Sequence, residues 1–455
     1  MKLEKLKKYT NNKVAILGFG KEGKSTLNFL LKLGFKNITI LDKNEKLSKQ
    51  KNINYKLGNN YLEQLSDYKL IFKSPGISPY NTLIEPYKNK LISQAQLFFD
   101  NYNGRIIGIT GTKGKSTTST LTYQTLKEIG YNVKIVGNIG NPVLDEIDII
   151  NNEIYDYVVY ELSSYMLEGL DINLYIGIIN NIYDCHLDWH NGRVNYETAK
   201  FGVIKKSKNK LINYELKNNL NNIIDIKFFG ENGNYFYKNG LFYKNDQVLF
   251  KDEKILLKGE HNRKNITVVL GILDIIDPEN LTTNIDKLKK VLKEFTGLPH
   301  RIQNIGTYNE ITFIDDAIAT TPESTIAAIK TFEYNIGTIF LGGQDSGFNF
   351  NELENILKKY NILNIVLFPD TGEKIFGKLT AKYTYENEFI LSGEYSPKVL
   401  KTKSMKSAVD FAFKNTPKGK ICILSNAAPS FSLWSGYIEK GNEFQNEVKK
   451  YKLSN

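Results

Sequence analysis

Arg105-Ile-Ile-Gly-Ile-Thr-Gly-Thr-Lys-Gly-Lys-Ser-Thr117 runs from a short β-branched strand through glycines into Lys115, Ser116 and Thr117, where a helical pattern begins. A buried strand feeding a Gly-rich loop and a helix N-terminus makes a phosphate cradle, because backbone N–H groups and the helix dipole converge on one anion. Glycines let the backbone approach the phosphate, Lys115 supplies a compact charge, and the Ser116 hydroxyl suits Mg²⁺. The strict G-x-x-x-x-G-K-[ST] pattern is not met, since Ile109 stands at its first Gly; what is present is G-x-x-G-T-x-G-K-S from Gly108 to Ser116. The stretch reads as an ATP loop: Gly111, Thr112, Lys113, Gly114, Lys115, Ser116 and Thr117.

Upstream of it stands a second glycine turn. Val14–Leu17 is an apolar strand, Gly18-Phe-Gly-Lys-Glu-Gly23 a turn, and a helix runs from about Lys24 to Leu33; the next strand, Ile38–Leu41, ends in Asp42. This is a G-x-G-x-x-G fingerprint between strand and helix with an acidic residue about 20 positions on. By itself it fits a nicotinamide-dependent oxidoreductase, yet the same geometry holds any diphosphate. Leu70-Ile-Phe-Lys-Ser-Pro-Gly-Ile-Ser78 is a further strand ending in a tight turn that would face the same ligand.

Downstream, strands are expected at Val133–Val136, Tyr157–Tyr160 and Tyr175–Asn180, hairpins with Asn-Gly turns across Ile226–Phe250, and helices at Glu260–Ile276 and Ile285–Phe295. Gly297-Leu-Pro-His-Arg301 reads as a linker to a third α/β unit, with strands at Ile311–Ile314, Gly337–Leu341, Ile365–Leu367 and Ile421–Leu424 and a final helix from about Gly436. At 455 residues several domains are expected. We place them at 1–96, 97–299 and 300–455, each α/β: a Rossmann-like domain, a central P-loop-type ATPase domain with a parallel sheet, and a C-terminal Rossmann-like domain.

Composition removes other classes. No apolar run reaches the ~20 residues of a membrane span, and the N-terminus lacks a signal-peptide core. Two cysteines, Cys185 and Cys422, suit a reducing compartment, so a cytoplasmic protein is expected. The net charge of +11 comes from dispersed Lys with no Arg stripe or recognition motif, which argues against nucleic acid as a partner. The four arginines (105, 193, 263, 301) and four histidines (186, 190, 261, 300) instead cluster near the motifs.

Three further segments can join the phosphate loop. Tyr160-Glu-Leu-Ser-Ser164 puts Glu161 at a strand end, Asn180-Asn-Ile-Tyr-Asp-Cys-His186 puts His186 after another strand, and Tyr196-Glu-Thr-Ala-Lys200 puts Lys200 on a following helix. With phosphates these make a hard-cation site, since Mg²⁺ takes carboxylate and phosphate oxygens. The ordered set GFGKEG, SPGIS, GITGTKGKST, GNIGNP, ELSSYMLE, CHLDWH, YETAK, GEHNRKN, FTGLPHR, DDAIATTPEST, LGGQD and SNAAPSFSLW resembles the Mur ligase family over essentially the whole chain, and within it the D-glutamate-adding branch.

The resemblance implies ATP-dependent ligation of D-glutamate to UDP-N-acetylmuramoyl-L-alanine through an acyl phosphate. This is a cytoplasmic step of peptidoglycan synthesis, serving cell-wall biogenesis, cell shape and cell division. It implies a monomer with small-molecule substrates and no membrane insertion. Gly18, Phe19, Gly20, Lys21, Glu22 and Gly23 would cover the diphosphate, Asp42 would meet the uracil, Ser74, Pro75 and Gly76 would wall the site, and Asn138 would hold the sugar–alanine part. Two Mg²⁺ ions would be held by Ser116, Glu161, His186 and Lys200, the last as a CO₂-derived carbamate. Lys115, Glu161, His186 and Lys200 would form the catalytic set. Asn265, Arg301 and Asp316 would lie around the ATP base and ribose, and Thr320, Ser430, Phe431 and Tyr437 would bind glutamate. Two departures stand out: Ala317 and Ile318 occupy the place of a Ser-Lys pair after Asp316, and Gln344-Asp-Ser-Gly347 lacks the Lys expected for the glutamate side chain. L-glutamate therefore stays open as the added amino acid.

Overall fold

The computed structural model describes all residues except 139–141, 147–154, 221–222, 258, 296, 346, 377–380, 386–387, 392–394 and 455. Part of the GNIGNP motif and Ser346 of the Gln344–Gly347 run lie outside the described residues. The chain divides into two compact units, Met1–Phe295 and Thr296–Asn455.

The first unit contains two sheets. In the first, β1 (Val14–Leu17), β2 (Ile38–Asp42), β3 (Asn54–Leu57), β4 (Leu70–Lys73) and β5 (Leu91–Ile92) stand in the order 3-2-1-4-5, all parallel. Every residue of β1 is buried, as expected of a central parallel strand covered on both faces. The order reverses between β1 and β4, which opens a crevice at their carboxyl ends where ligands of such sheets bind. Helix α1 (Lys21–Lys32) begins at the first residue after Gly20, three residues earlier than its hydrophobic pattern indicates.

The second sheet is built from β6 (Ile106–Thr110), β7 (Val133–Gly137), β8 (Tyr157–Glu161), β9 (Leu174–Ile179), β10 (Ser207–Asn213), β11 (Ile226–Phe229), β12 (Tyr235–Lys238), β13 (Leu241–Lys244) and β14 (Gln247–Lys251). Their order is 14-13-12-11-10-9-6-8-7. The expected hairpins are therefore the antiparallel edge of this same sheet. Register sets Ile109 beside Glu161 and Thr110 beside Ile179, so three carboxyl ends finish level with one another. Helix α2 (Lys115–Ile129) follows β6, α3 (Arg193–Lys205) precedes β10, and α4 (Glu260–Ile276) packs on the sheet.

The second unit holds an eight-stranded sheet whose centre, Ile311–Asp315, Ile421–Leu424, Ile336–Leu341, Asn364–Leu367 and Lys398–Lys401, is parallel. Antiparallel strands close both edges. Helix α5 (Tyr437–Ser454) packs on this sheet and ends the chain's regular structure.

Candidate active site

The phosphate loop is braced from behind. Gly114 is in the left-handed region (φ 80) and caps α2; a Cβ there would come 2.5 Å from Asn265 Oδ1, so the loop can press on α4 only as glycine. Thr118 Oγ1 donates to Asn265 Oδ1 at 3.3 Å and accepts from Asn180 Nδ2 at 2.9 Å. On the outer side Asn181 accepts from the Lys113 amide at 2.8 Å, and Thr112 Oγ1 lies 2.6 Å from the Tyr196 hydroxyl. Lys115 Nζ folds onto the loop, donating to the Gly111 and Thr112 carbonyls at 2.8 and 3.1 Å.

Glu161 closes β8 and is wholly buried. Asn138 Nδ2 donates to its Oε1 at 2.9 Å, while its Oε2 is buried without a hydrogen-bond partner among the described residues. A carboxylate oxygen left in this state is costly unless a cation or donor completes it. Beside the neighbouring strand Lys200 is 1% exposed, with Nζ 3.5 Å from Thr110 Oγ1 and 5.0 Å from the Tyr196 ring centroid. Burial, reinforced by the Lys115 charge, pulls its pKa down from 10.5 to about 7. His186 sits in the left-handed region (φ 57) with its residue surface largely exposed; partial desolvation of the ring, then the charges of His190, Lys115 and Lys200, lower its pKa, which favours the neutral, ligating imidazole. Among the described residues no three His, Cys, Asp or Glu side chains converge as a metal site. The orphaned Glu161 oxygen and a neutral His186 fit Mg²⁺ together with Ser116, and the set gains a further oxygen ligand only if Lys200 is converted to one.

A cleft of about 510 Å³ spans both sheets of the first unit and is lined by the Gly18–Glu22 turn, Asp42, Ser74–Ile77, Asn138 and Tyr165. Gly18 (φ 88) is clamped, its carbonyl accepting from Ser74 Oγ at 2.8 Å. Both Asp42 oxygens accept backbone N–H groups, from Phe19 at 2.6 Å and Asn44 at 2.8 Å, so this carboxylate shapes the turn. Beneath the cleft Lys73, which motif reading passes over, donates to the Ile77 carbonyl at 2.8 Å; burial lowers its pKa to about 8 against the pull of Glu22 and Glu168. Glu22 is in turn raised by burial to about 7, opposed by Lys73.

In the second unit Asp316 is buried, accepting from Ser425 Oγ at 2.8 Å and from the Ile302 amide at 3.1 Å, and burial raises its pKa to about 7. Ser430 is buried beside Asn426, whose Nδ2 also reaches the Ala317 carbonyl at 2.6 Å, while Phe431 is 62% exposed. Thr320 and Tyr437 are half-buried and Arg301 is exposed. A residue that motif reading misses is Lys440, fully buried on α5, donating to the Gly342 carbonyl at 2.9 Å between the rings of Phe368 and Trp434. No local pattern distinguishes it from the many surface lysines.

Residues 109–273 match the profile of the Mur ligase middle domain, and residues 12–93 that of the Mur ligase MurD-like N-terminal domain. A UDP-N-acetylmuramoylalanine–D-glutamate ligase of Clostridium botulinum (strain 657 / Type Ba4) is 31% identical over 96% of this chain and 96% of its own length. The chain belongs to the Mur ligase family. A ligase of the same name from Clostridium tetani is 29% identical over 96% of this chain and 97% of its own. In fold, the MurF ligase from Thermotoga maritima in complex with ADP superimposes with a TM-score of 0.54 at 17% identity, covering 98% of this chain and 97% of that one. The α/β architecture expected from the sequence is thus that of Mur ligases. Among the described residues no helix is long and apolar enough to cross a membrane.

Proposed function

We propose that this Mur ligase joins D-glutamate to UDP-N-acetylmuramoyl-L-alanine at the expense of ATP, in peptidoglycan precursor synthesis. The carrying observation is the buried Glu161, whose unpartnered oxygen stands where the phosphate loop's sheet meets the wall of the two-sheet cleft. The acceptor lies in that cleft, its diphosphate against the Gly18–Gly23 turn and its alanine end beside Asn138. The alanine carboxylate oxygen attacks the γ-phosphorus, the bond to the bridging oxygen breaks, and ADP leaves. Lys115 and the N–H groups of the loop neutralise the charge of the group in transfer. The glutamate amine then attacks the acyl carbon, loses a proton, and phosphate departs with the electron pair of the C–O bond. Ser116, Glu161, His186 and Lys200 as a carbamate would hold Mg²⁺, which when bound spreads the charge of the phosphoryl oxygens.

The Lys200 amine is suited to carbamate formation. A pKa near 7 leaves much of it neutral, so its nitrogen lone pair can bond to the carbon of CO₂ with release of one proton. The product is an oxygen ligand in place of a cation. Asn265, Arg301 and Asp316 are assigned to the ATP base and ribose, and Thr320, Ser430, Phe431 and Tyr437 to glutamate.

Phosphate release from ATP with Mg²⁺ and UDP-N-acetylmuramoyl-L-alanine, with D- or L-glutamate in parallel, tests this function. Release with D-glutamate alone is expected. Release with L-glutamate alone keeps the chemistry and changes the product, an outcome that the missing Lys in Gln344–Gly347 makes worth measuring. No release with either refutes the assignment.

A further inference from the structure

The segment between β9 and α3, residues 180–192, carries His186 near its middle and is attached to the cleft wall three positions further on, at Trp189. Within it, the His190 amide donates to the His186 carbonyl at 3.2 Å and the Gly192 amide to the Leu187 carbonyl at 2.9 Å, so residues 186–192 form one compact loop. Trp189 fastens that loop to the first sheet twice. Its Nε1 donates to the Gly76 carbonyl at 3.0 Å, and its own carbonyl accepts from Ser78 Oγ at 2.5 Å, bonds that span more than 100 residues of chain. Its ring packs 4.4 Å from Tyr165, which also lies 4.8 Å from the His186 ring, and Lys73 Nζ stands 5.4 Å from its centroid. Gly76 and Tyr165 both line the cleft. A second tie runs in parallel: the Tyr80 hydroxyl donates to Glu168 Oε1 at 2.6 Å, and Glu168 Oε2 lies 3.2 Å from Nδ1 of the fully buried His190.

We propose that Trp189 is a positioning residue that makes the acceptor's wall and the His186 loop one mechanical piece, so that filling the cleft and holding Mg²⁺ at His186 favour each other. The inference rests on the acceptor and metal readings above. Two residues, Leu187 and Asp188, separate Trp189 from His186 along the chain, so the contacts that hold Trp189 also restrain the His186 end of the loop, while the other end is tied to α3 by Asn195 Nδ2, which donates to the His190 and Asn191 carbonyls at 2.9 and 3.3 Å. An acceptor pressing on Gly76 and Tyr165 restrains the same groups that hold Trp189. Coupling of this kind is reciprocal: whatever factor the acceptor contributes to Mg²⁺ affinity, Mg²⁺ contributes to acceptor affinity.

Trp189→Phe keeps the ring against Tyr165 and removes the N–H bond to Gly76; Trp189→Ala removes both. For Trp189→Phe we expect the acceptor KM and the Mg²⁺ half-saturation to rise together by about 3- to 10-fold, as the loss of one hydrogen bond allows, with the ATP KM within two-fold of wild type. A merely structural role lowers the Tm and leaves that split unmoved. A readout independent of turnover uses the tryptophan content, two in the chain. In a Trp434→Phe background, Trp189 emission is followed while UDP-N-acetylmuramoyl-L-alanine is titrated with and without Mg²⁺ and a non-hydrolysable ATP analogue. The acceptor midpoint should fall when the metal and nucleotide are present, and calorimetry on Trp189→Phe should show that shift reduced to less than half. Midpoints that do not depend on one another in the wild type, or a shift of the same size in Trp189→Phe, overturn the proposal. Absence of wild-type turnover with this acceptor would overturn the functional assignment instead, so the two failures are distinct.

Discussion

Replacing Gly23 by Ala sets two effects of opposite sign against each other. Gly23 lies in the first turn of α1, where Ala is the better helix former by about 0.5–1 kcal/mol. Against this, a Cβ at Gly23 would sit 3.0 Å from the Gly18 carbonyl carbon, nearer still to its oxygen, and 3.4 Å from Phe19 Cδ2. Ordinary carbon contacts begin at about 3.5 Å, so the helix start or the turn must shift by roughly 0.5–1 Å. The turn cannot yield easily: the Gly18 amide donates to Leu41 O at 2.9 Å and its carbonyl accepts from Ser74. Overpacking of this type costs about 1–3 kcal/mol, leaving a net loss of roughly 0–2.5 kcal/mol. The same shift moves the cradle that receives the acceptor's diphosphate. Since misplacement by about 1 Å can cost on the order of 100-fold, a rise of about 10-fold in acceptor KM is expected, with the ATP KM unchanged because its loop belongs to the other sheet. Steady-state kinetics with each substrate varied, together with a thermal melt, provide the assay. A Gly23→Ala protein with higher Tm and unaltered acceptor KM would show that the helix propensity wins and that the turn is not a constrained cradle.

Other expectations follow from single residues. Glu161→Gln keeps a group able to accept from Asn138 but loses the charge; ligation should fall by at least about 100-fold while the melt stays within a few degrees. Lys200→Ala should lose ligation that bicarbonate does not restore and short-chain carboxylic acids partly do; wild-type activity would remove the carbamate. Gly114→Ala, with φ 80 and Asn265 Oδ1 at 2.5 Å from the new Cβ, should raise the ATP KM by about 10-fold and spare acceptor binding measured without nucleotide. Asp316 has a folded pKa of about 7 against 3.8 unfolded, so the folded chain binds the extra proton and stability falls as pH rises. From pH 5 to 7 that amounts to about 2 kcal/mol by proton linkage. Asp316→Asn should flatten this slope in thermal melts, and parallel wild-type and variant curves would contradict the burial argument.

Legibility in the sequence followed the range of the physics involved. Glycine turns, capped helix starts and buried β-branched strands depend on neighbours a few residues apart, so Val14–Leu17, Ile421–Leu424 and the phosphate loop stand where their patterns put them. Strands such as Asn54–Leu57 and Ser207–Asn213 escape because their side chains are mixed or exposed, and only pairing with a neighbouring strand makes them strands. Helix α1 starts at Lys21 rather than Lys24 because its cap is a glycine without a side-chain signal.

By itself the sequence determined the α/β class, both glycine turns and a candidate set in which Lys115, Glu161, His186 and Lys200 could meet a phosphate. Tertiary structure alone decided that one Glu161 oxygen is buried without a partner among the described residues, that Lys200 is desolvated enough to lose its proton near neutrality, and that Trp189 bonds to Gly76. The reason is that desolvation and long-range hydrogen bonding are properties of the enclosing sheets. They arise from register and packing between segments a hundred residues apart, which no local spacing encodes.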